Sequence, residues 1–309
     1  MQETVEKPGS VEARPRVFIT RRSVSYWRIT LDHPPLNIFG PQTIPQLDAI
    51  ITAIEGDEAV KVVVFDSAVP GFFLTHYDFL ANPQDTASLP TGPSGLGPLN
   101  DMLVRLSRAP VVSIACIRGR ATGVGSELAL ACDMRFASRE KAILGHFEVG
   151  AGIVPGGGPM ARLPRLLGRG RALEVLLGAD DIPGDLAELY GYVNRAIADA
   201  ELDDFVESLA TRIASFDNRA IRETKRFVDV ASLPPDYEIA PEWTSATHRS
   251  CVRRRRPGSR RCLSADSTSR AMSKTDLAIT SVSSAPTRSN RRKAADEEHP
   301  IVPAPQQRG

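Results

Sequence analysis

The run Val62-Val63-Val64-Phe65 is apolar at every position and is bounded by Lys61 and Asp66. A strand with one wet face alternates, so an unbroken run fits a strand covered on both faces, as parallel sheets require. Upstream, Ile44, Leu47, Ile50, Ile51 and Ile54 fall at helical spacing and stop at Gly56. The pairing recurs. Leu99, Met102, Leu103 and Leu106 predict a second helix, and Pro110 to Ile117 a second covered strand. A further helix is predicted to open at Glu127 and run to Cys132, followed by a short strand from Met134 to Ala137. Val17 to Leu31 reads as an entry hairpin or edge-strand pair ending at His33-Pro34-Pro35. Helices interleaved with covered strands place the chain in the α/β class.

The remaining segments divide the chain. Residues 1–15 are polar and acidic, predicting a disordered leader with neither a signal peptide nor a membrane anchor. Residues 16–178 form the predicted α/β core. Within it, Pro83 to Pro98 is crowded with Pro, Gly, Ser and Thr and predicts a long loop, of the kind that often covers a ligand. Residues 179–248 read as helical, on Leu202, Phe205, Val206, Leu209 and Ile213 and then Ile221, Phe227 and Val228. Residues 249–309 are rich in Arg and Ser with few apolar groups, which predicts a disordered tail. Helical patterning fades after Trp243, as a shifted reading frame or a divergent extension would produce.

Charge follows the same division. The tail holds 14 Lys+Arg against 5 Asp+Glu, so the other 248 residues hold 24 against 32 although the whole chain is at +1. An acidic body argues against nucleic acid as the main ligand. Cys116, Cys132, Cys251 and Cys262 show no metal-finger or CxxC spacing, so the expected setting is a reduced cytoplasm and no structural metal is expected.

Three segments can carry chemistry. In Arg118-Gly119-Arg120-Ala121-Thr122-Gly123-Val124-Gly125-Ser126-Glu127-Leu128 a covered strand enters a glycine turn and then a helix. Backbone NH groups at such a turn can hold a developing negative charge. The dinucleotide fingerprint fails at Leu128, and the hydrolase elbow fails because Ser126 directly follows Gly125. The second segment, Gly145-His146-Phe147-Glu148 through Gly156-Gly157-Gly158, sets another carboxylate before a glycine loop. The third, Pro70-Gly71-Phe72-Phe73-Leu74-Thr75-His76-Tyr77-Asp78-Phe79, places four aromatic residues and a histidine after the Val62 strand.

Together these segments resemble the crotonase (enoyl-CoA hydratase/isomerase) family, from about Val17 to His248. The family's F-S-A-G-x-D-L is matched at Phe73 and Asp78, with His76 at its glycine. Its N-G-x-A-x-G-G-G-x-E-L-A-L-A-C-D resembles Arg118 to Asp133, with Val124 at the middle glycine. Its P-E-x-x-x-G-x-x-P-G-x-G-G resembles Phe147 to Gly158, with Phe147 at the proline. The resemblance implies an α/β crotonase-like spiral of ββα units with a helical C-terminal region. It implies hydration or double-bond isomerisation of a 2-enoyl-CoA, with CoA as part of the substrate and no separate cofactor. It further implies a homotrimer or hexamer, oxyanion NH donors at Tyr77 and Val124, and catalytic carboxylates at Glu127 and Glu148. Thr75, His76, Gly123, Gly125 and Gly156 are expected to touch substrate or shape the turns, and Asp78 and His146 to hold their loops.

That arrangement suits a thioester. Charge pushed onto the carbonyl oxygen needs fixed donors, and adding water across a conjugated double bond needs a base and an acid. Hydrolases and decarboxylases share such turns, so those reactions and a catalytically silent acyl-CoA-binding or oligomerisation protein remain the alternatives.

Overall fold

A computed structural model describes residues 15–247. The predicted leader, apart from Pro15, and the predicted tail lie outside the described residues. The chain opens with β1 (Val17–Arg21) and β2 (Tyr26–Leu31), then α1 (Ile44–Gly56), β3 (Val62–Ser67) and β4 (Phe72–Leu74). Next come α2 (Pro83–Ala87), α3 (Pro98–Arg108), β5 (Val112–Ile117), β6 (Arg120–Thr122) and α4 (Val124–Ala131). They are followed by β7 (Met134–Ser138), β8 (Ile143–Gly145), α5 (Pro159–Leu167), α6 (Arg169–Gly178), β9 (Ile182–Pro183) and α7 (Gly184–Tyr190). The last elements are β10 (Arg195–Ile197), α8 (Leu202–Ala214), α9 (Asn218–Ser232) and α10 (Asp236–Thr247).

Strands alternate between two sheets. The larger has the order β1-β2-β3-β5-β7-β10, and the smaller β4-β6-β8-β9. β1 pairs antiparallel with β2 as the entry hairpin predicts, and every other pairing in the large sheet is parallel. In β3-β4, β5-β6 and β7-β8 the first strand joins the large sheet and the second the small one. The chain therefore advances as a spiral. Val62, Val63, Val64 and Phe65 are all fully buried, as the unbroken apolar run requires.

The structure departs from the sequence reading in three places. The long loop after Pro83 begins with helix α2, because the Asn82 side chain accepts the Gln84 N–H at 3.0 Å and Pro83 occupies the first turn. The helix predicted to open at Glu127 starts one turn earlier, at Val124. The C-terminal region contributes β9 and β10 as well as helices, and β10 extends the large sheet beside β7. A three-residue strand is too short to show periodicity.

Candidate active site

The small sheet positions the predicted segments. β4, β6 and β8 lie side by side in parallel, so the loops that leave them meet at one end. There they line a cavity of about 600 Å³ that includes His76, Tyr77, Asp78, Val124, Glu127, Glu148 and Gly156. A larger groove of about 820 Å³ lies between α9 and the α4–β7 region, and none of the predicted site residues lines it.

α4 is buried along its whole length and begins after Gly123, whose φ of +56° is a conformation that a side chain disfavours. The positive φ thus falls on the glycine, and Val124 is an ordinary first helical residue. The Gly125 N–H donates to Thr75 O at 3.2 Å, which sets α4 directly against β4. Phe39 donates its N–H to His76 O and accepts the Asp78 N–H, so the intervening Tyr77 amide is directed away from Phe39. Among the described residues, neither the Tyr77 N–H nor the Val124 N–H is engaged in a hydrogen bond.

Both carboxylates are buried, Glu127 at 2% and Glu148 at 8% exposure. Glu127 Oε1 accepts the Gly157 N–H at 2.7 Å. Burial, reinforced by the negative charge of Glu148, pushes the Glu127 carboxyl up to about 7. His146 sits beside the pair, its Nδ1 3.5 Å from Glu148 Oε2. Burial opposes its imidazolium form, but Glu148, Glu127 and Glu242 outweigh that penalty and raise its affinity for a proton.

The remaining predicted residues divide by position. Thr75 points inward, its Oγ1 donating to Leu36 O at 3.0 Å, so it braces the loop. Asp78 Oδ1 accepts the Leu80 N–H at 2.9 Å. His76 Nδ1 pairs with Tyr77 O at 2.7 Å, and its ring stacks on Phe79 and meets the edge of Phe147. Gly156 lies where α10 comes closest: a Cβ there would sit 2.7 Å from Ala246 Cβ.

Two supporting residues escaped the sequence reading. Arg162 is fully buried, and its Nη1 donates to Gly157 O at 3.1 Å, fixing the loop whose amide holds Glu127. Burial lowers its guanidinium to about 10. Glu242, on α10, accepts the Ala161 N–H at 3.1 Å, and burial followed by the charge of Glu127 raises it to about 7. Trp243 and Ala246 of the same helix complete the cavity wall. A single Glu in a C-terminal helix carries no local signal of this role.

Replacing Glu127 by Gln keeps an oxygen for the Gly157 amide and removes the titration. Between the ordinary carboxyl value of 4.5 and about 7 the folded chain holds a proton that the unfolded chain releases. Stability from this group is therefore present at low pH and lost as pH rises through 7. E127Q is expected to match the unsubstituted chain in thermal melts at pH 4 and to exceed it by roughly 5 °C at pH 8.

A spiral of paired sheets with two buried carboxylates on one cavity defines a crotonase-type α/β fold. A family model described as enoyl-CoA hydratase/isomerase matches residues 21–238. A crotonyl-CoA hydratase of Syntrophomonas wolfei is 35% identical over 191 residues, covering 62% of this chain and 72% of that protein. A short-chain-enoyl-CoA hydratase of Clostridium acetobutylicum is 32% identical over 225 residues, covering 72% and 84%. A crystal structure from Streptomyces avermitilis, provisionally assigned as an enoyl-CoA hydratase, superposes with a TM-score of 0.70 at 43% identity, covering 74% of this chain and 83% of that one. The chain belongs to the enoyl-CoA hydratase/isomerase family of enzymes. No helix among the described residues is long and apolar enough to cross a membrane.

Proposed function

We propose that the protein hydrates a 2-enoyl-CoA thioester, or shifts the double bond of a related one, through a backbone oxyanion hole and the pair Glu127 and Glu148. The observation that carries this reading is the convergence of two buried carboxylates and two unengaged backbone amides on one cavity. The Tyr77 and Val124 N–H groups take the thioester oxygen as charge moves onto it, and two such fixed donors stabilise the enolate. Glu127 orients and deprotonates the water. Glu148 delivers the proton to the α carbon, and the roles reverse in dehydration. A carboxyl held near 7 suits proton exchange in both directions at neutral pH.

The departures from the family motifs fit this chemistry. A backbone donor needs no particular side chain, and Val124 occupies an unstrained helical position. His76 and Phe147 build an aromatic wall with Phe79. The names of the relatives, crotonyl-CoA and short-chain-enoyl-CoA hydratase, support a short acyl chain. We assign the working form to a cytoplasmic homotrimer or hexamer. The exposed Phe227, Val228 and Val230 on α9 support self-association.

The test is incubation with saturated, 2-unsaturated, 3-unsaturated and 3-hydroxy acyl-CoA species, read by mass and by chromatographic separation of isomers. A gain of one water by the 2-enoyl species is expected. Release of free CoA would assign a hydrolase instead, and binding without turnover would assign a silent acyl-CoA-binding protein.

A further inference from the structure

Glu127, His146 and Glu148 each offer a ligand atom, and these atoms all lie within 4.8 Å of one another. His146 is 1% exposed, yet among the described residues neither ring nitrogen makes a hydrogen bond, and Glu148 Oε2 is likewise without a hydrogen-bond partner. The 3.5 Å between His146 Nδ1 and Glu148 Oε2 lies outside hydrogen-bond geometry. It matches the edge of a coordination tetrahedron, since ligands about 2.1 Å from zinc lie roughly 3.4 Å apart. Buried polar atoms without hydrogen-bond partners are costly, and a shared cation would engage Glu148 Oε2 and one ring nitrogen of His146 together with Glu127.

We propose that Glu127, His146 and Glu148 form a binding site for a divalent transition-metal ion of the Zn²⁺ class, open to the cavity at its fourth position. The donor set of one imidazole and two carboxylates suits zinc. The site is also oriented, because the Gly157 N–H at 2.7 Å fixes the Glu127 carboxylate from behind, as outer hydrogen bonds do for metal ligands. Both glutamates are the groups to which acid and base roles are assigned above. A bound ion therefore occupies the position of the reacting water and arrests the hydration chemistry. Metal binding itself does not depend on that chemistry.

The experiment is calorimetric titration of the full chain with Zn²⁺ alone, without any acyl-CoA, accompanied by the absorption spectrum of the Co²⁺ form. One ion per chain is expected, with nitrogen and oxygen ligation and no thiolate charge-transfer band. Outer-shell changes at metal sites cost 10–100-fold in affinity, so losing a ligand in H146Q or E148Q is expected to weaken binding by more than about 100-fold. A chain carrying Cys251→Ser and Cys262→Ser leaves the buried cluster untouched and is expected to bind as before. Equal Zn²⁺ affinity in H146Q, a thiolate band, or loss of binding in the double serine chain would overturn the proposal. Zinc binding by a chain that fails to hydrate crotonyl-CoA would sustain this inference while removing the hydratase reading.

Discussion

Replacing Glu148 by Gln is expected to lower kcat for crotonyl-CoA hydration by roughly 10³-fold, within the range that a positioned acid or base contributes. The substitution is close to isosteric. Gly123 allows the side chain to lie close to the glycine turn, where a Cβ would come within 3.0 Å of Glu148 Oε1, and Gln occupies the same space. The amide cannot deliver a proton to carbon, so the loss falls on the chemical step. KM is expected to change little, because the Tyr77 and Val124 amides, proposed to receive the thioester oxygen, are untouched. E148Q retaining more than about a tenth of the rate would remove Glu148 from proton delivery.

The largest expected effect on stability belongs to Gly125. A Cβ at this position would lie 1.7 Å from Leu74 O and 2.5 Å from Leu74 C. Both are backbone atoms of β4, which is paired to β6 at Phe72 and Leu74 and cannot yield as a side chain can. The same glycine donates its N–H to Thr75 O, so relieving the overlap also breaks the contact that joins α4 to β4. Gly125→Ala is expected to cost at least ~3 kcal/mol and to lower Tm by about 10 °C or to prevent accumulation of folded protein. Gly56→Ala, where nothing lies within 4 Å, is the control and is expected to melt within a degree or two of the unsubstituted chain. Similar melting of the two variants would refute the close approach.

The parts of the fold that were legible in the sequence are those whose burial is written locally. Val62 to Phe65 is covered on both faces by its own apolar run, and α1 shows its buried stripe of Ile and Leu at helical spacing. The glycine turns were legible because backbone conformation restricts residue choice there. β10 and α2 were not, since one is three residues long and the other rests on a single Asn cap. The site followed the same rule. Glu127 and Glu148 stood out through their neighbours in sequence, whereas Arg162 and Glu242 act across the fold on Gly157 and Ala161. The setting of His146 is likewise a property of packing: nothing in Gly145-His146-Phe147 says that both ring nitrogens are buried without a hydrogen-bond partner.

The tie from Glu242 to the Ala161 amide, with Trp243 and Ala246 on the cavity wall, sets an order of events during translation. A ribosome releases β4, β6, β8 and both Glu127 and Glu148 long before it releases α10. A nascent chain therefore holds its carboxylates in a half-walled cleft. The cavity wall is completed only when the residues around 246 have emerged, well after the segments that carry Glu127 and Glu148.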